Sequence, residues 1–259
     1  MPQQRRHKSR RRTRGRFPGL YKVVSAVLIL AAVVAACAVF FRVGEIQVTG
    51  NSRYTAQEII DVTGVKVGDN LFLLDRARLA REIQSRLPYI QTVSVRRALP
   101  DGLIITVTEG KAVAAVAHEG RWWLLDSGGK LLEAASSAGG HATITGIAPL
   151  APAAGTSLAT AEEQRGSLAL LRELLEALKD NGLLDRLDSV DLSEDHLVRF
   201  VLDGRFSVEL STALEKGMSY WVRRLAAAVE DPSVVAGQAY RVDITDNKTL
   251  RFILKKINE

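Results

Sequence analysis

Two residues in the middle of the chain have the spacing of a known nucleophile pair. Ser127 and Lys130 form Ser-x-x-Lys, the arrangement found around the attacking serine of serine β-lactamases and penicillin-binding proteins. That chemistry needs the serine at the start of a helix, with Ser-x-Asn and Lys-Thr-Gly elements lining the same cleft. Here the pair falls in a turn, Asp126-Ser127-Gly128-Gly129, and neither companion element occurs. The sequence therefore predicts no nucleophile at Ser127.

Residue types that bind metals or cofactors are also sparse. The four histidines are scattered without ligand spacing, and the one cysteine, Cys37, allows no disulfide within the chain. No glycine-rich phosphate-binding loop occurs. We therefore expect a non-catalytic protein without a cofactor or metal, and a cell-wall enzyme with an unrecognised site stays open as an alternative.

An apolar segment preceded by a basic tail dominates the start of the chain. Residues 23–41 carry no charge, and a helix of this length spans about 28 Å, close to the hydrocarbon core of a bilayer. By the positive-inside rule the tail, residues 1–22, stays cytoplasmic. The residues assigned to this topology role are Arg5, Arg6, Lys8, Arg10, Arg11, Arg12, Arg14 and Arg16. The sequence predicts a single-pass protein of the cell membrane with an extracytoplasmic carboxy-terminal region, and a tail that binds anionic membrane lipid.

Three other interpretations of this start are possible. Basic clusters bind nucleic acid through phosphates, but this one immediately precedes an apolar span, so we expect no nucleic-acid partner. Ala36-Cys37-Ala38 has the form of a signal-peptide cleavage site, and Val34-Ala35-Ala36-Cys37 that of a lipidation signal. Apolarity continues through Phe41, which favours an uncleaved anchor. Whether Cys37 is lipidated stays open.

The charge of the chain is divided unevenly. Residues 1–44 hold ten of the 35 Lys and Arg residues and none of the 29 Asp and Glu residues. The remainder is mildly acidic, so the basic character belongs to the tail and the outer region shows no nucleic-acid face.

Residues 43–110 have the pattern of a small mixed domain. Residues 45–49 alternate like a half-buried strand, Thr55-x-x-Glu58 is a capping box, and Asp75 is placed to cap a second helix. Two more alternating segments follow, around Val93 and Val107. The predicted order is strand, helix, helix, strand, strand.

This region resembles the FtsQ-type polypeptide-transport-associated (POTRA) domain of the FtsQ/DivIB bacterial cell-division proteins. The motifs that carry the resemblance are Gly68–Asp75, Leu87–Ile90 and Val93–Arg97 with Pro100. Where the family usually has a proline, this chain has Glu109-Gly110-Lys111. The fold class expected is α+β: one N-terminal transmembrane helix, a small βααββ POTRA domain and a β-rich α+β C-terminal domain.

The resemblance also implies a function. Proteins of this family are non-catalytic divisome scaffolds that recruit FtsB/DivIC-like and FtsL-like membrane division proteins, and through them the septal peptidoglycan synthase, for septum formation at the division septum. An extracytoplasmic chaperone or translocation module is the other alternative.

Residues 111–259 are predicted to form the C-terminal β domain, with a flexible loop near 134–160 that is broken by one short strand at 143–145, and a helix over 161–179. The apolar pattern around Asp203-Gly204 predicts the register of a hairpin. A three-residue loop pairs Val198 with Leu210 and Phe200 with Val208, which places these apolar residues on one face.

The last strand is the candidate partner-binding site. As a terminal strand it is expected to lie at a sheet edge, either guarded by its charges or extended by a strand of an FtsB/DivIC-like partner. Leu250, Phe252 and Leu254 are predicted to share one face, and Arg251, Ile253 and Lys255 the outward face. Tyr240 is expected to flank this surface. Proline at Ile253 is predicted to weaken partner binding more than alanine, by removing a ladder donor.

Overall fold

A computed structural model of the chain describes residues 18–231, 234, 238–246 and 249–254. The first element is helix α1 (Pro18–Phe40), which begins five residues before the predicted apolar segment. None of its window Leu20–Cys37 is buried against the rest of the chain. The structure also begins inside the predicted tail, so the eight basic residues assigned to topology lie outside the described residues.

A three-stranded sheet with two helices follows α1. The elements are β1 (Glu45–Thr49), α2 (Ala56–Thr63), α3 (Arg76–Arg86), β2 (Ile90–Ala98) and β3 (Gly102–Glu109). Strand β3 lies in the centre, parallel to β1 and antiparallel to β2. The predicted βααββ order is confirmed.

Both helices of this unit start at the predicted caps. The Thr55 hydroxyl accepts the N–H of Glu58 while the Glu58 carboxylate accepts the N–H of Thr55, a complete capping box. Asp75 accepts the N–H groups of Ala77 and Arg78. The apolar stripe of α3 then packs on the sheet through Leu79 and Ile83.

A nine-stranded mixed sheet forms the rest of the molecule. Its strands are β4 (Ala114–His118), β5 (Arg121–Leu125), β6 (Leu131–Ala135), β7 (Ala142–Thr145), β8 (Leu187–Glu194), β9 (Leu197–Leu202), β10 (Phe206–Ser211), β11 (Tyr240–Ile244) and β12 (Arg251–Leu254). The order across the sheet is β12-β11-β10-β9-β8-β7-β4-β5-β6. The β-rich α+β architecture that the sequence predicts is therefore present.

Two helices cover this sheet. Helix α4 (Arg165–Asp180) buries Leu171, Leu175 and Leu178, as its periodicity predicts, and α5 (Met218–Val229) buries Trp221 and Leu225. A single core joins both helices to the sheet and shares no residue with the core of the three-stranded unit. The two predicted domains have separate cores, although their limits at residues 110 and 111 stay a prediction.

The hairpin between β9 and β10 has the predicted register. Phe200 pairs with Val208, and Arg199 lies opposite Glu209. The loop has three residues, and both Asp203 and Gly204 adopt positive φ, at 51° and 62°. A two-residue turn would shift one strand by a residue and turn half of its apolar side chains to solvent.

The segment 134–160, predicted as a flexible loop, is tied to the sheet along its length. It contributes the end of β6 and all of β7, and its later part forms backbone bridges between Lys130 and Ser157 and between Pro149 and Thr160. Leu158 is 1% exposed. The small residues of this segment therefore allow it to pack closely against the rest of the domain.

Candidate partner-binding site

Strand β12 lies at one end of the nine-stranded sheet. It is antiparallel to β11, with Arg251 opposite Asp243, Phe252 opposite Val242 and Ile253 opposite Arg241. Among the described residues, no strand pairs with its other side. The predicted edge position of the carboxy-terminal strand is confirmed.

The register determines which backbone groups of β12 are available. The N–H of Tyr240 donates to the carbonyl of Arg205 at 2.8 Å, so Tyr240 directs its backbone groups towards β10. The N–H and C=O groups of successive residues point to opposite sides of a strand. Arg241 and Asp243 therefore direct their N–H and C=O groups towards β12. Their partners Ile253 and Arg251 are therefore bonded to β11, and Phe252 and Leu254 direct N–H and C=O groups away from the sheet.

This geometry revises the expectation for proline at Ile253. The outward direction of the Ile253 side chain does not make its N–H an outward donor, because that N–H points along the sheet to β11. Proline at Ile253 would break the chain's own ladder. The donor whose loss affects an added strand alone is that of Leu254.

The side chains of β12 divide into a packed half and an exposed half. Phe252 contacts the rings of Phe206 and Tyr240, with centroids 6.4 and 6.0 Å away. Ile253 and Leu254 are 48% and 58% exposed. Leu250 and Phe252 pack against the core, but Leu254, which was predicted to share their face and lies opposite Tyr240, does not.

Three further predicted residues have outcomes of their own. Tyr240 is 7% exposed, and its hydroxyl donates to Gln238, so it supports Phe252 from beneath instead of flanking an open surface. Lys255 lies outside the described residues. Arg251 forms an ion pair of 2.8 Å with Asp246, on the turn before the strand.

A charged ladder runs across the adjacent strands. Glu209 on β10 binds Arg241 on β11 at 2.5 Å and Arg199 on β9 at 3.4 Å, and Arg199 also binds Glu194. The hydrogen bond to Glu194, together with the nearby carboxylates, raises the pKa of Arg199 above its ordinary value. The sequence predicted the pair of Arg199 with Glu209 but not the third member, Arg241, because a parallel neighbour cannot be found from a hairpin pattern.

The Ser-x-x-Lys pair has a structural role. The ammonium of Lys130 donates to the carbonyls of Gln84 and Ile90, both at 3.0 Å, and shares no hydrogen bond with Ser127 among those described. Burial lowers the pKa of Lys130, and the Asp126 carboxylate opposes that shift. Lys130 therefore links the nine-stranded sheet to the three-stranded unit.

Other side chains complete this junction, and none of them was predicted from sequence. Glu133 on β6 accepts the hydroxyl of Tyr89 at 2.8 Å and pairs with Arg53 at 3.3 Å. Gln91 donates to Asp126 at 3.0 Å. Together with burial, the bond to Glu133 raises the pKa of Tyr89 to about 12. The junction lines a cleft of about 810 Å³. No group of His, Cys, Asp or Glu among the described residues is arranged to hold a metal.

Comparison with known proteins shows which family the chain resembles. A family model described as "POTRA domain, FtsQ-type" matches residues 41–109. A "Cell division protein FtsQ" from Geobacter sp. strain M21 is 27% identical over 251 residues, covering 92% of this chain and 80% of that protein. Across most of its length the chain is therefore similar to FtsQ/DivIB cell-division proteins.

Other FtsQ/DivIB relatives match over shorter stretches. The "Cell division protein FtsQ" of Corynebacterium glutamicum is 32% identical over 111 residues, which cover 42% of this chain and half of that protein's length. A solved structure, the major extracytoplasmic domain of DivIB from Geobacillus stearothermophilus, is 13% identical with a TM-score of 0.28, covering 49% of this chain and 91% of that one. Helix α1 is long and apolar enough to cross a membrane, consistent with a single-pass FtsQ/DivIB protein.

Proposed function

We propose that this FtsQ/DivIB protein is a non-catalytic divisome scaffold that recruits its partner by strand addition at β12. An extended segment of an FtsB/DivIC-like membrane protein pairs with the outer side of β12, and an FtsL-like protein and the septal peptidoglycan synthase follow. The observation that carries the proposal is the pair of outward backbone positions at Phe252 and Leu254. β-Augmentation uses such groups for affinity and neighbouring side chains for selectivity.

The side chains around this edge suit that role. Leu254 and Ile253 are exposed apolar groups beside the basic residues Arg251 and Arg241. An incoming strand with apolar residues and a carboxylate would contact both kinds of group. The bulk of Phe252 remains in the sheet, where Tyr240 and Phe206 hold the strand in position.

The proposed topology places the basic tail in the cytoplasm and residues 43–259 outside, so that the edge meets extracytoplasmic segments of its partners. The eight tail residues, Arg5 to Arg16, retain the tail inside through anionic lipid. An alkaline-phosphatase fusion after Glu259 is expected to be active. Replacing Arg10, Arg11 and Arg12 by alanine is expected to reduce correct insertion, and a mature amino terminus at Cys37 or Ala38 would refute the uncleaved anchor.

The matched variants Leu254→Pro and Leu254→Ala test the edge directly. Both remove an exposed side chain, but only proline removes the outward N–H. Loss of one hydrogen bond of about 1 kcal/mol should weaken partner binding roughly fivefold in Leu254→Pro relative to Leu254→Ala. Binding is measured by co-purification from membranes with quantitative mass spectrometry. Equal binding by the two variants would place the site elsewhere.

A further inference from the structure

An exposed apolar patch lies where the chain leaves α1. Its members, here called the exit patch, are Phe40, Phe41, Phe72 and Leu73. Leu73 is 84% exposed, Phe40 68% and Phe72 51%. Single exposed apolar side chains are ordinary, but a contiguous group beside a membrane-spanning helix needs a partner.

The loop between α2 and α3 is fastened to the end of α1 by backbone hydrogen bonds. The N–H of Leu71 donates to the carbonyl of Phe41 at 3.0 Å, and the N–H of Val43 donates to the carbonyl of Asp69 at 2.8 Å. Arg42 and Asn70 form an antiparallel bridge between these bonds. Residues 41–43 and 69–71 therefore behave as a short two-stranded ribbon at the helix exit.

The aromatic rings continue this connection. Phe40 contacts Phe41 with ring centroids 5.3 Å apart, and Phe41 contacts Phe72 at 5.0 Å, both edge to face. The apolar window of α1 ends at Cys37, and three further residues of helix add only about 4.5 Å. Phe72 is therefore held near the depth at which α1 leaves the bilayer.

Arg97 on β2 fixes the shape of the loop. Its guanidinium donates to the carbonyls of Leu71 at 2.6 Å, Leu74 at 2.9 Å and Phe72 at 3.3 Å. It also lies 5.5 Å from the centroid of the Phe72 ring. With Leu71 completely buried, this clamp leaves Phe72 and Leu73 exposed on a rigid support. The exposure is built into the fold.

The charges nearby suit a lipid surface. Arg42 and Lys66 are exposed on the two connected segments, while the Asp69 carboxylate accepts the backbone N–H of Lys66. Aromatic and aliphatic groups rimmed by cations are the composition that binds at the boundary between headgroups and acyl chains.

We propose that the exit patch inserts into the outer leaflet and so sets the orientation of the POTRA unit relative to the membrane. Phe72 and Leu73 reach the acyl-chain boundary beside Phe40, and Arg97 acts as a positioning residue for the loop. The inference rests on the proposed membrane anchorage of α1. Its consequence is that β12 is held in a defined direction from the membrane surface.

The test uses the full chain in liposomes containing anionic lipid. A Cys37→Ser background is given one new cysteine at a time, Phe40→Cys, Leu73→Cys or Leu150→Cys, and labelled with an environment-sensitive nitrobenzoxadiazole dye. Leu150 is the matched control, because it is 58% exposed on the nine-stranded unit. Quenching is measured with a nitroxide near the top of the lipid acyl chain and with iodide in the water.

We expect lipid quenching at positions 40 and 73 to exceed that at position 150 severalfold, and iodide quenching to show the reverse order. Quenching of position 73 by iodide alone, with position 40 lipid-quenched, would overturn the inference and leave the anchor intact. Shielding of position 73 from both quenchers would place protein on the patch and overturn it as well. Iodide access to position 40 would instead refute the anchorage.

Arg97→Ala provides a second measurement on the same labelled background. Without the clamp the shape of the loop over Phe72 and Leu73 is no longer fixed, although its backbone bonds to the end of α1 remain. Lipid quenching at position 73 should therefore fall while that at position 40 stays constant. Unchanged quenching at position 73 would contradict the positioning role of Arg97. Since Leu73 is 84% exposed, its substitution removes little packing and leaves the fold available for the test.

Discussion

The two edges of the nine-stranded sheet differ in how their outer sides are used. At β6 the backbone of Leu131 bonds to Thr156 and Gly155, both at 2.8 Å, and Glu133 contacts the POTRA unit through Arg53 and Tyr89. At β12 no described strand pairs with the outer side. Among the described residues, one edge is therefore closed by the protein itself and the other has no paired strand.

The difference indicates what each edge is for. Open edges invite pairing with other chains, and proteins ordinarily cover, shorten or charge them. This protein covers β6 and makes it the domain junction. It leaves β12 short, with Arg251 on the strand and Arg241 on its neighbour β11. In the proposed function these charges disfavour indiscriminate pairing and leave room for a selected strand.

Removal of the open edge should have the largest effect. Deleting residues 250–259 removes β12 and with it both outward backbone positions, so partner recruitment should be lost while the protein still reaches the membrane. Recruitment is measured by co-purification and membrane level by immunoblot. Glu133→Ala at the closed edge is the control, since it should leave recruitment unchanged. Normal recruitment after the deletion would contradict the assignment of β12.

Proline at Ile253 should act on the fold before it acts on binding. Its N–H is directed at β11, so Ile253→Pro removes a bond of the sheet itself, at a cost of roughly 1–3 kcal/mol in the free energy of unfolding. Leu254→Pro should cost less, because its N–H has no partner among the described strands of the sheet. Denaturant unfolding compares the two. The reverse order would mean that the backbone directions in β12 are wrongly assigned.

The closed edge should respond to alkaline pH through Tyr89. Its pKa of about 12 lies above the value near 10 of an unfolded tyrosine, so the folded state retains a proton that the unfolded state releases between these pH values. The stabilisation is fully present below pH 10 and is lost as the pH rises towards 12, amounting to about 2 kcal/mol.

Tyr89→Phe should abolish that contribution. Thermal unfolding of the two proteins is compared from pH 9 to 12, where the difference in the free energy of unfolding should shrink as the pH rises. A difference that is constant with pH would show that the Tyr89–Glu133 contact contributes no proton linkage. The same substitution should not change partner binding.

The smallest effect is expected for the ion pair beside the open edge. Arg251 and Asp246 have side chains 65% and 40% exposed, and exposed pairs contribute about 0–1 kcal/mol. Arg251→Ala should therefore leave unfolding nearly unchanged and make partner binding less sensitive to salt. Binding at 50 and 300 mM salt, compared with Leu254→Ala as an uncharged control, checks this. A large loss of stability would refute the surface role.

Local patterns predicted much of this fold from sequence. The capping residues Thr55 and Asp75, the apolar stripe of α4 and the register of the β9–β10 hairpin all depend on neighbours within a few residues, and each is confirmed. The edge position of β12 was also expected, and no described strand pairs with its outer side.

Features that depend on distant neighbours were not predicted. Small residues over 134–160 suggested a loop, but packing of that segment against the rest of the domain fixes its position. Lys130 and Glu133 contact the POTRA unit, so their roles depend on residues far away in the sequence. At the site, Tyr240 is buried and Leu254 is exposed. The alternation of apolar residues predicts on which face of a strand a side chain lies, but not how far along the strand the hydrophobic core extends. The direction of each N–H needed the register with β11.

Amide hydrogen exchange on the full protein in membranes, with and without an extended peptide from its FtsB/DivIC-like partner, tests the central claim most directly. Strand addition at β12 predicts that the amides of Phe252 and Leu254 exchange freely alone and become protected with the peptide, while those of Arg251 and Ile253 are protected in both states. Unchanged exchange at Phe252 and Leu254 upon peptide binding would contradict the account.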